Sequence, residues 1–527
     1  MTSRSRGALA PTAALVSVVA LAACSGGTTD DGATDGSTPV SGGTFAFAVN
    51  DDPGSLSPLT GVSLVQRGLV PFGYESLAYI TEDGETIPWL AESWEETGTS
   101  ITYTLKDGIT CADGTEFTAE TAAANFAYQA DAANGTFWFG SNVTADMTAT
   151  ADGNTLTITS ATTNPFLAQT TGAVEMVCQA GLDDPETLVD ATNGTALYAL
   201  SDAQAGSTYT YTKRDGYTWG PDDVTSDTAG LPDEIVARVI TDEATAANLL
   251  LSGELNAASV IGADRSRVEA AGLESVGVLN PIGQMLFNER ADRPTADERV
   301  RRALSLALDR ETIGELVTDG HYQESVSLVN KTPLTCVADG PLWGLPETDV
   351  DEAAALLDEA GYPAGSDGAR DLTIRFIYDA GTPSHGAAAE EVQAQWDALG
   401  ITTELVAEDS TGWATDLYQT YDWDTGFVQL APGSPVVLSL FFLGAHSEEG
   451  GYNFMAVDNP AYDALAEQAL VAADAETACG LWLEAEKELI DRVDTVPVAD
   501  TVSPTYLSGV ALEMPGSIMP TTVRMLG

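Results

Sequence analysis

The chain has 527 residues, with 21 Lys+Arg against 79 Asp+Glu and a formal net charge of -58, a length that exceeds one ordinary core and calls for two or three lobes. So acidic a balance excludes a nucleic-acid backbone binder, which needs a basic face for counterion release, and a polybasic membrane-surface protein. Charged residues are only 19% and hydrophobic ones 44%, so the acid coats globular lobes and does not mark a disordered chain.

At the start of the chain, Arg4 and Arg6 precede an apolar run from Ala8 to Ala23, shorter than the roughly 20 residues of a bilayer-spanning helix. The run closes as Leu21-Ala22-Ala23-Cys24 and is followed by Ser25-Gly26-Gly27. Small residues before a cleavage point suit a signal peptidase. With a cysteine directly behind them, the segment resembles a bacterial lipoprotein signal in which Cys24 becomes the lipidated first residue. Residues 1–23 are therefore expected to be a signal peptide. Residues 24–42, rich in Gly, Ser, Thr and Asp, are expected to be a lipidated flexible tether. Two or more acyl chains anchor a protein stably where one does not. The expected location is the extracytoplasmic face of the bacterial cell membrane.

Residues 43–50 alternate with period two and predict a strand, closed by the turn Asp51-Asp52-Pro53-Gly54. Ile101–Leu105 and Asn154–Ser160 predict further strands. Between them Thr118–Ala130 has helical spacing, with Thr118 at the cap and Glu120 in the first turn. Met285-Leu286-Phe287-Asn288 ends a strand. Asp297 then caps a helix whose stripe is Val300, Ala303, Leu304, Ala307 and Leu308. Arg299, Arg301 and Arg302 fall beside or opposite that stripe, as a solvated or salt-bridged face. Gly320 stops the next helical turn. Asp349 with Glu352 predicts a capping box for a helix ending at Gly361. A helix over 384–399, a strand over 401–406 and helices over 459–473 and 476–492 complete the pattern. Mixed α/β pieces with two sets of strands point to two lobes, each with its own sheet.

Chemistry-bearing motifs are scarce. There is no P-loop, no G-x-G-x-x-G and no H-E-x-x-H in the sequence. His321 and His446 have no partner at metal-ligand spacing, so no metal site is expected. Asp379, Ser384 and His385 tempt a secreted-hydrolase reading, but no nucleophile elbow accompanies them. Apart from Cys24, the cysteines are Cys111, Cys178, Cys336 and Cys479. In an oxidising compartment an even count implies disulfides, with three pairings possible.

Leu286-Phe287-Asn288 followed by Asp297-Glu298-Arg299-Val300-Arg301-Arg302-Ala303-Leu304-Ser305-Leu306-Ala307-Leu308-Asp309-Arg310 closely resembles the signature of the family 5 extracellular solute-binding proteins, the peptide- and nickel-type receptors of ABC importers. Lys106–Glu120, Leu356-Leu357-Asp358-Glu359-Ala360-Gly361-Tyr362, Glu391–Ile401 and Val496-Pro497-Val498 are similar to further family stretches in the same order. The resemblance implies an α/β, two-lobed periplasmic-binding-protein-like fold with mixed sheets, two hinge crossings and an extra subdomain in the first lobe. Lobe I would use residues 43–280 and 493–527, with a subdomain inserted at about 76–198, and lobe II would use 281–492. Within those lobes the favoured disulfides are Cys111–Cys178 and Cys336–Cys479.

The implied function is capture of a peptide-like or other small polar solute between the lobes and its delivery to a membrane permease, without chemistry. The implied partners are ABC permease subunits with cytoplasmic ATPases, and the membrane through the lipid anchor. No nucleic acid and no cofactor enter, and the receptor is expected to be a monomer. Ligand-contact candidates are Asn50, Asp52, Tyr74, Trp138, Trp413, Tyr421, Trp423 and Gln429. The aromatic ones lie in loop-like segments where rings can stack on varied ligands. Peptide-binding members carry a carboxylate for the peptide's ammonium at the position that is Ala431 here. Asp422 or Asp424 would have to substitute from a shifted loop. An oligosaccharide or chelated nickel is the alternative cargo, and a hydrolase on a related scaffold is the rival activity.

Overall fold

Phe45 and Phe47 fall on one face of the strand Thr44–Val49 and both are buried, as period-two alternation requires. The computed structural model describes residues 38–527 apart from 62, 330–335, 337–346, 381, 429 and 431. The signal and tether calls, with Cys24, lie largely outside the described residues, as do Gln429 and Ala431. Thr44–Val49 runs parallel to Glu234–Val239 on one side and to Ala257–Ser259 on the other. Around these three, the described strands form a seven-stranded sheet. Tyr198–Gln204 and Thr208–Lys213 lie at one edge, Ala499–Leu507 and Glu274–Ile282 at the other.

A second sheet of five strands takes the order Thr402–Glu408, Thr373–Asp379, Thr425–Phe427, Met285–Phe287 and Thr495–Val496. The chain passes from the first sheet to the second between Ile282 and Met285, and back between Val496 and Ala499. Gly283 makes the first passage at φ +68, and a Cβ there would sit 3.0 Å from a methyl of Val317, so both conformation and space favour glycine. Beside the return passage, Gln323 and Asp500 exchange backbone hydrogen bonds of 3.0 and 2.9 Å. The molecule is thus two-lobed and α/β, with each lobe built on a mixed sheet.

A separate four-stranded antiparallel sheet, Ala91–Thr97, Ser100–Leu105, Thr155–Thr159 and Thr148–Asp152, projects from the first lobe. The helix Ala119–Gln129 packs on it and is capped by Thr118, whose hydroxyl accepts from the Thr121 N–H at 3.3 Å. Disulfides join Cys111 to Cys178 and Cys336 to Cys479. Phe166, from the loop beyond this sheet, is buried in the apolar cluster of the second lobe with Leu286, Trp423 and Phe442.

Three local expectations change in the structure. The helix Glu298–Leu306 keeps Val300, Ala303 and Leu304 buried but ends before Ala307 and Leu308, which are buried beyond it. Arg301 is salt-bridged, as one of the two alternatives had it, but buried and not at the surface: it is 1% exposed and pairs with Asp494 at 3.0 Å and Glu289 at 3.3 Å. Arg299 and Arg302 do lie at the surface, on Asp297 and Glu298. Asp349 caps the helix Val350–Glu359 by accepting from the Glu352 N–H at 2.9 Å. The reciprocal half of the box is replaced, because the Asp349 N–H donates to the Leu306 carbonyl instead.

Candidate functional site

The parallel strands Thr44–Val49, Glu234–Val239 and Ala257–Ser259 present their carboxyl ends on one side of the first lobe. In open α/β sheets this is where ligands collect, because the loops leaving the strands form a crevice there. A cavity of about 530 Å³ occupies that position, lined among others by Asn50, Leu64, Ile240, Glu243, Ile261 and Met514. The volume suits a small-molecule site. Leu64 opens the helix Leu64–Leu69 and is held outward by Ser63, whose hydroxyl accepts from the Gln66 N–H at 3.1 Å. At 90% exposed, with Ile261 at 57%, it gives the cavity an apolar mouth, which marks a contact surface. Glu243 is fixed at the rim by accepting from the N–H groups of Ile261 (3.1 Å) and Gly262 (3.0 Å).

The sequence candidates fall into two groups, one on each lobe. Asn50 lines the cavity, and Asp52 stands two residues beyond it. Burial would raise the Asp52 carboxyl, but the Gly206 N–H, the Tyr209 hydroxyl at 2.8 Å and the Gly54 N–H hold it below the ordinary value. Trp138 donates its indole N–H to Glu175 at 2.6 Å, and the Arg67 guanidinium, ion-paired to Glu175, lies 4.2 Å from the Phe137 ring centroid. Arg67 shares its helix with Leu64, so this aromatic cluster supports the cavity wall. Tyr74 does not face the cavity. It is buried in the first lobe, its hydroxyl accepting from the Asn193 N–H at 3.3 Å.

On the second lobe, Tyr421 lies under the Arg290 guanidinium, 3.6 Å from its ring centroid, and its hydroxyl accepts from Ser447 at 3.1 Å. Trp413 is half-buried, and its indole N–H has no partner among the described residues. Trp423 is 0% exposed and packs near Phe454, so it is a core ring here. Both acids near position 431 in the sequence already face Arg293, Asp422 at 3.2 Å and Asp424 at 3.7 Å. Asp422 accepts from Arg293 at 3.2 Å, while Asp424 is buried, its carboxyl pushed up by that burial, and accepts from the Arg375 N–H at 2.8 Å.

The hydrolase constellation does not assemble. His385 is buried against Phe427, with ring centroids 5.6 Å apart, and neither ring nitrogen has a partner among the described residues. Burial lowers its pKa, and Asp379 accepts from Thr382 at 2.9 Å. No group of three or more His, Cys, Asp or Glu among the described residues is spaced to hold a metal ion. No helix among them is long and apolar enough to cross a membrane. The sequence reading missed Leu64, Ile261 and Met514. Leu64 carries the signal of a large apolar residue directly after a capping serine and Ile261 that of one beside glycine in a loop, while Met514, between Glu513 and Pro515, carries neither.

Residues 85–452 match the family described as bacterial extracellular solute-binding proteins, family 5 Middle. The oligopeptide-binding protein OppA of Bacillus subtilis is 25% identical, covering 95% of this chain and 96% of its own. The nickel-binding periplasmic protein of Escherichia coli is 25% identical over 70% of this chain and 71% of its own. Among solved structures, a substrate binding protein from Microbacterium hydrocarbonoxydans, complexed with 4-hydroxybenzoate hydrazide, superposes with a TM-score of 0.66. It is 26% identical and covers 92% of this chain and 99% of its own.

Proposed function

Because the chain belongs to the family 5 bacterial extracellular solute-binding proteins, we propose that its cargo is a small peptide-like solute held between the first-lobe cavity and the aromatic face of the second lobe. The chain is a solute-binding receptor of an ABC importer and acts outside the cytoplasm. The observation that carries the ligand reading is the cavity at the carboxyl ends of the parallel strands, with its apolar mouth at Leu64 and Ile261. Two short passages between the lobes suit a hinge, and closure then requires a ligand that touches both sides. A free peptide ammonium has no obvious carboxylate among Asp422 and Asp424, which are paired with arginines and a backbone N–H. A peptide with a blocked or modified amine fits better than an ordinary one. The second reading, a chelated metal, takes its support from the nickel-binding relative. The receptor does no chemistry on its cargo, remains a monomer, and hands the cargo to permease subunits coupled to cytoplasmic ATPases.

Titration of the purified chain with free and N-acetylated tri- and tetrapeptides, read by tryptophan fluorescence, tests this. Saturable quenching with the peptide recovered intact is expected; conversion of the peptide would overturn the receptor reading. In the same assay Leu64→Glu should weaken binding tenfold or more, because a carboxylate at an apolar mouth must be desolvated on closure. Unchanged affinity in that variant would place the ligand elsewhere.

Anchoring through Cys24, after removal of residues 1–23 and along a tether to residue 42, belongs to the same proposal. Cys24→Ser should move the protein from the membrane fraction to the medium. If it stays with membranes and carries no lipid, the anchor lies elsewhere in the chain.

A further inference from the structure

Phe166 and Leu167 are consecutive in the chain, yet their side chains belong to the cores of different lobes. Leu167 and Ala168 are buried in the first-lobe core with Phe45 and Tyr103, while Phe166, 7% exposed, is buried in the second-lobe core. Every other described member of that second core lies between residues 286 and 490. The ring is therefore a side chain of one lobe seated in the other. Gln323 and Ser325 also cross to Asp500, but they do so beside the return passage, at the pivot itself.

First-lobe contacts fix the backbone that carries the ring. The Asn164 side chain accepts from the Phe166 N–H at 2.9 Å and donates to the Thr170 hydroxyl at 3.0 Å, and the Asn164 N–H donates to the Gly98 carbonyl at 2.8 Å. Pro165 restricts φ between Asn164 and Phe166. The Phe166 carbonyl accepts from the Thr170 N–H at 2.9 Å, and Glu96 accepts from the Ala168 N–H at 3.1 Å. The Thr171 hydroxyl lies 2.8 Å from that of Tyr103, in the four-stranded sheet. The mount thus belongs to the projecting subdomain, and its ordering does not wait for the lobes to meet. Opening a hinge at the passages after Ile282 and Val496 would draw the ring out of the second-lobe core into water. Burial of a phenylalanine ring shifts an equilibrium by about ten- to hundredfold.

We propose that Phe166 is a latch that holds the two lobes closed, so that closure adds to affinity whatever the cargo's identity. A more populated closed geometry lowers the conformational cost of binding any solute that touches both lobes. The latch rests on the hinge of the reading above and not on a peptide cargo, and its test uses no ligand, so a failed peptide titration leaves it standing. Small-angle X-ray scattering of the ligand-free full chain is expected to give a compact profile for wild type and a larger radius of gyration for Phe166→Ala, with an unchanged circular dichroism spectrum. Phe166→Val, which keeps part of the apolar area, should fall between them. Leu167→Ala, one residue along and in the first-lobe core, should leave the radius as in wild type. Superposable wild-type and Phe166→Ala profiles would overturn the latch, as would an equal expansion in Leu167→Ala. Should Phe166→Ala fail to fold, the comparison passes to Phe166→Val, for which a wild-type radius overturns the proposal.

Discussion

Arg301→Ala is expected to lower the stability of the second lobe by about 3–5 kcal/mol, the range for breaking a buried ion pair from one side. Its guanidinium donates to the carbonyls of Val493 (2.8 Å), Thr295 (3.1 Å) and Arg492 (3.2 Å) and to Asp494 at 3.0 Å. It thereby ties the helix Glu298–Leu306 to the segment that leads back to the first lobe. Removing it leaves Asp494 buried, with Arg492 as its remaining cation, and strips several carbonyls of their donor. Burial and the neighbouring Asp494 already hold the Glu289 carboxyl up at about 8, against the pull of Arg301 and Arg492. Arg301→Lys should recover only part of the loss, since an ammonium cannot reach so many acceptors at once. Total stabilities run at about 5–15 kcal/mol, so a shift of this size is plain in urea unfolding followed by tryptophan fluorescence. A loss below about 1 kcal/mol would mean that water replaces the guanidinium and that the site is not dry.

A second large effect is expected from pH, through Glu75. Its carboxyl is fully buried and accepts from the Tyr217 hydroxyl (2.6 Å), the Trp219 indole (3.0 Å) and the Thr195 hydroxyl (2.9 Å). Burial pushes it up from 4.5 to about 7, despite these hydrogen bonds and the charge of Arg214. Between those two values the folded chain holds a proton that the unfolded chain has released. The stabilisation is therefore complete below about pH 4.5 and is lost as pH rises through about 7. At about 1.4 kcal/mol per unit, the loss is on the order of 3 kcal/mol. Glu289 and Asp424 are also raised and add slopes of the same sign, while depressed acids such as Asp113 add the opposite. Only the difference between wild type and Glu75→Gln isolates this group. Urea unfolding from pH 4.5 to 8 should show wild type losing stability relative to the variant across the window. Parallel curves would mean that Glu75 stays ionised when folded.

The chain-order reading of elements rests on chemistry that acts over a few residues. Thr118, Asp297 and Asp349 each cap the helix expected of them, because a side-chain oxygen needs only the N–H two or three positions ahead. The alternation at Phe45 and Phe47 and the stripe at Val300, Ala303 and Leu304 settled which faces are buried. The family motifs settled the two-lobed architecture and the receptor class. By itself, then, the sequence determined element identity, capping, family and the compartment expected for the chain.

Tertiary structure alone decided which charges and rings are covered. Arg301 reads as one more arginine on a solvated or salt-bridged face until Val493 and Asp494, some 190 positions on, close over it. Trp423 and Tyr74 read as ligand rings until distant apolar segments enclose them. The cavity joins Leu64 to Ile261 and Met514 from three distant segments. No local periodicity records such meetings. Burial is set by whichever far segment excludes water from a side chain, and that depends on the packing of whole sheets and helices.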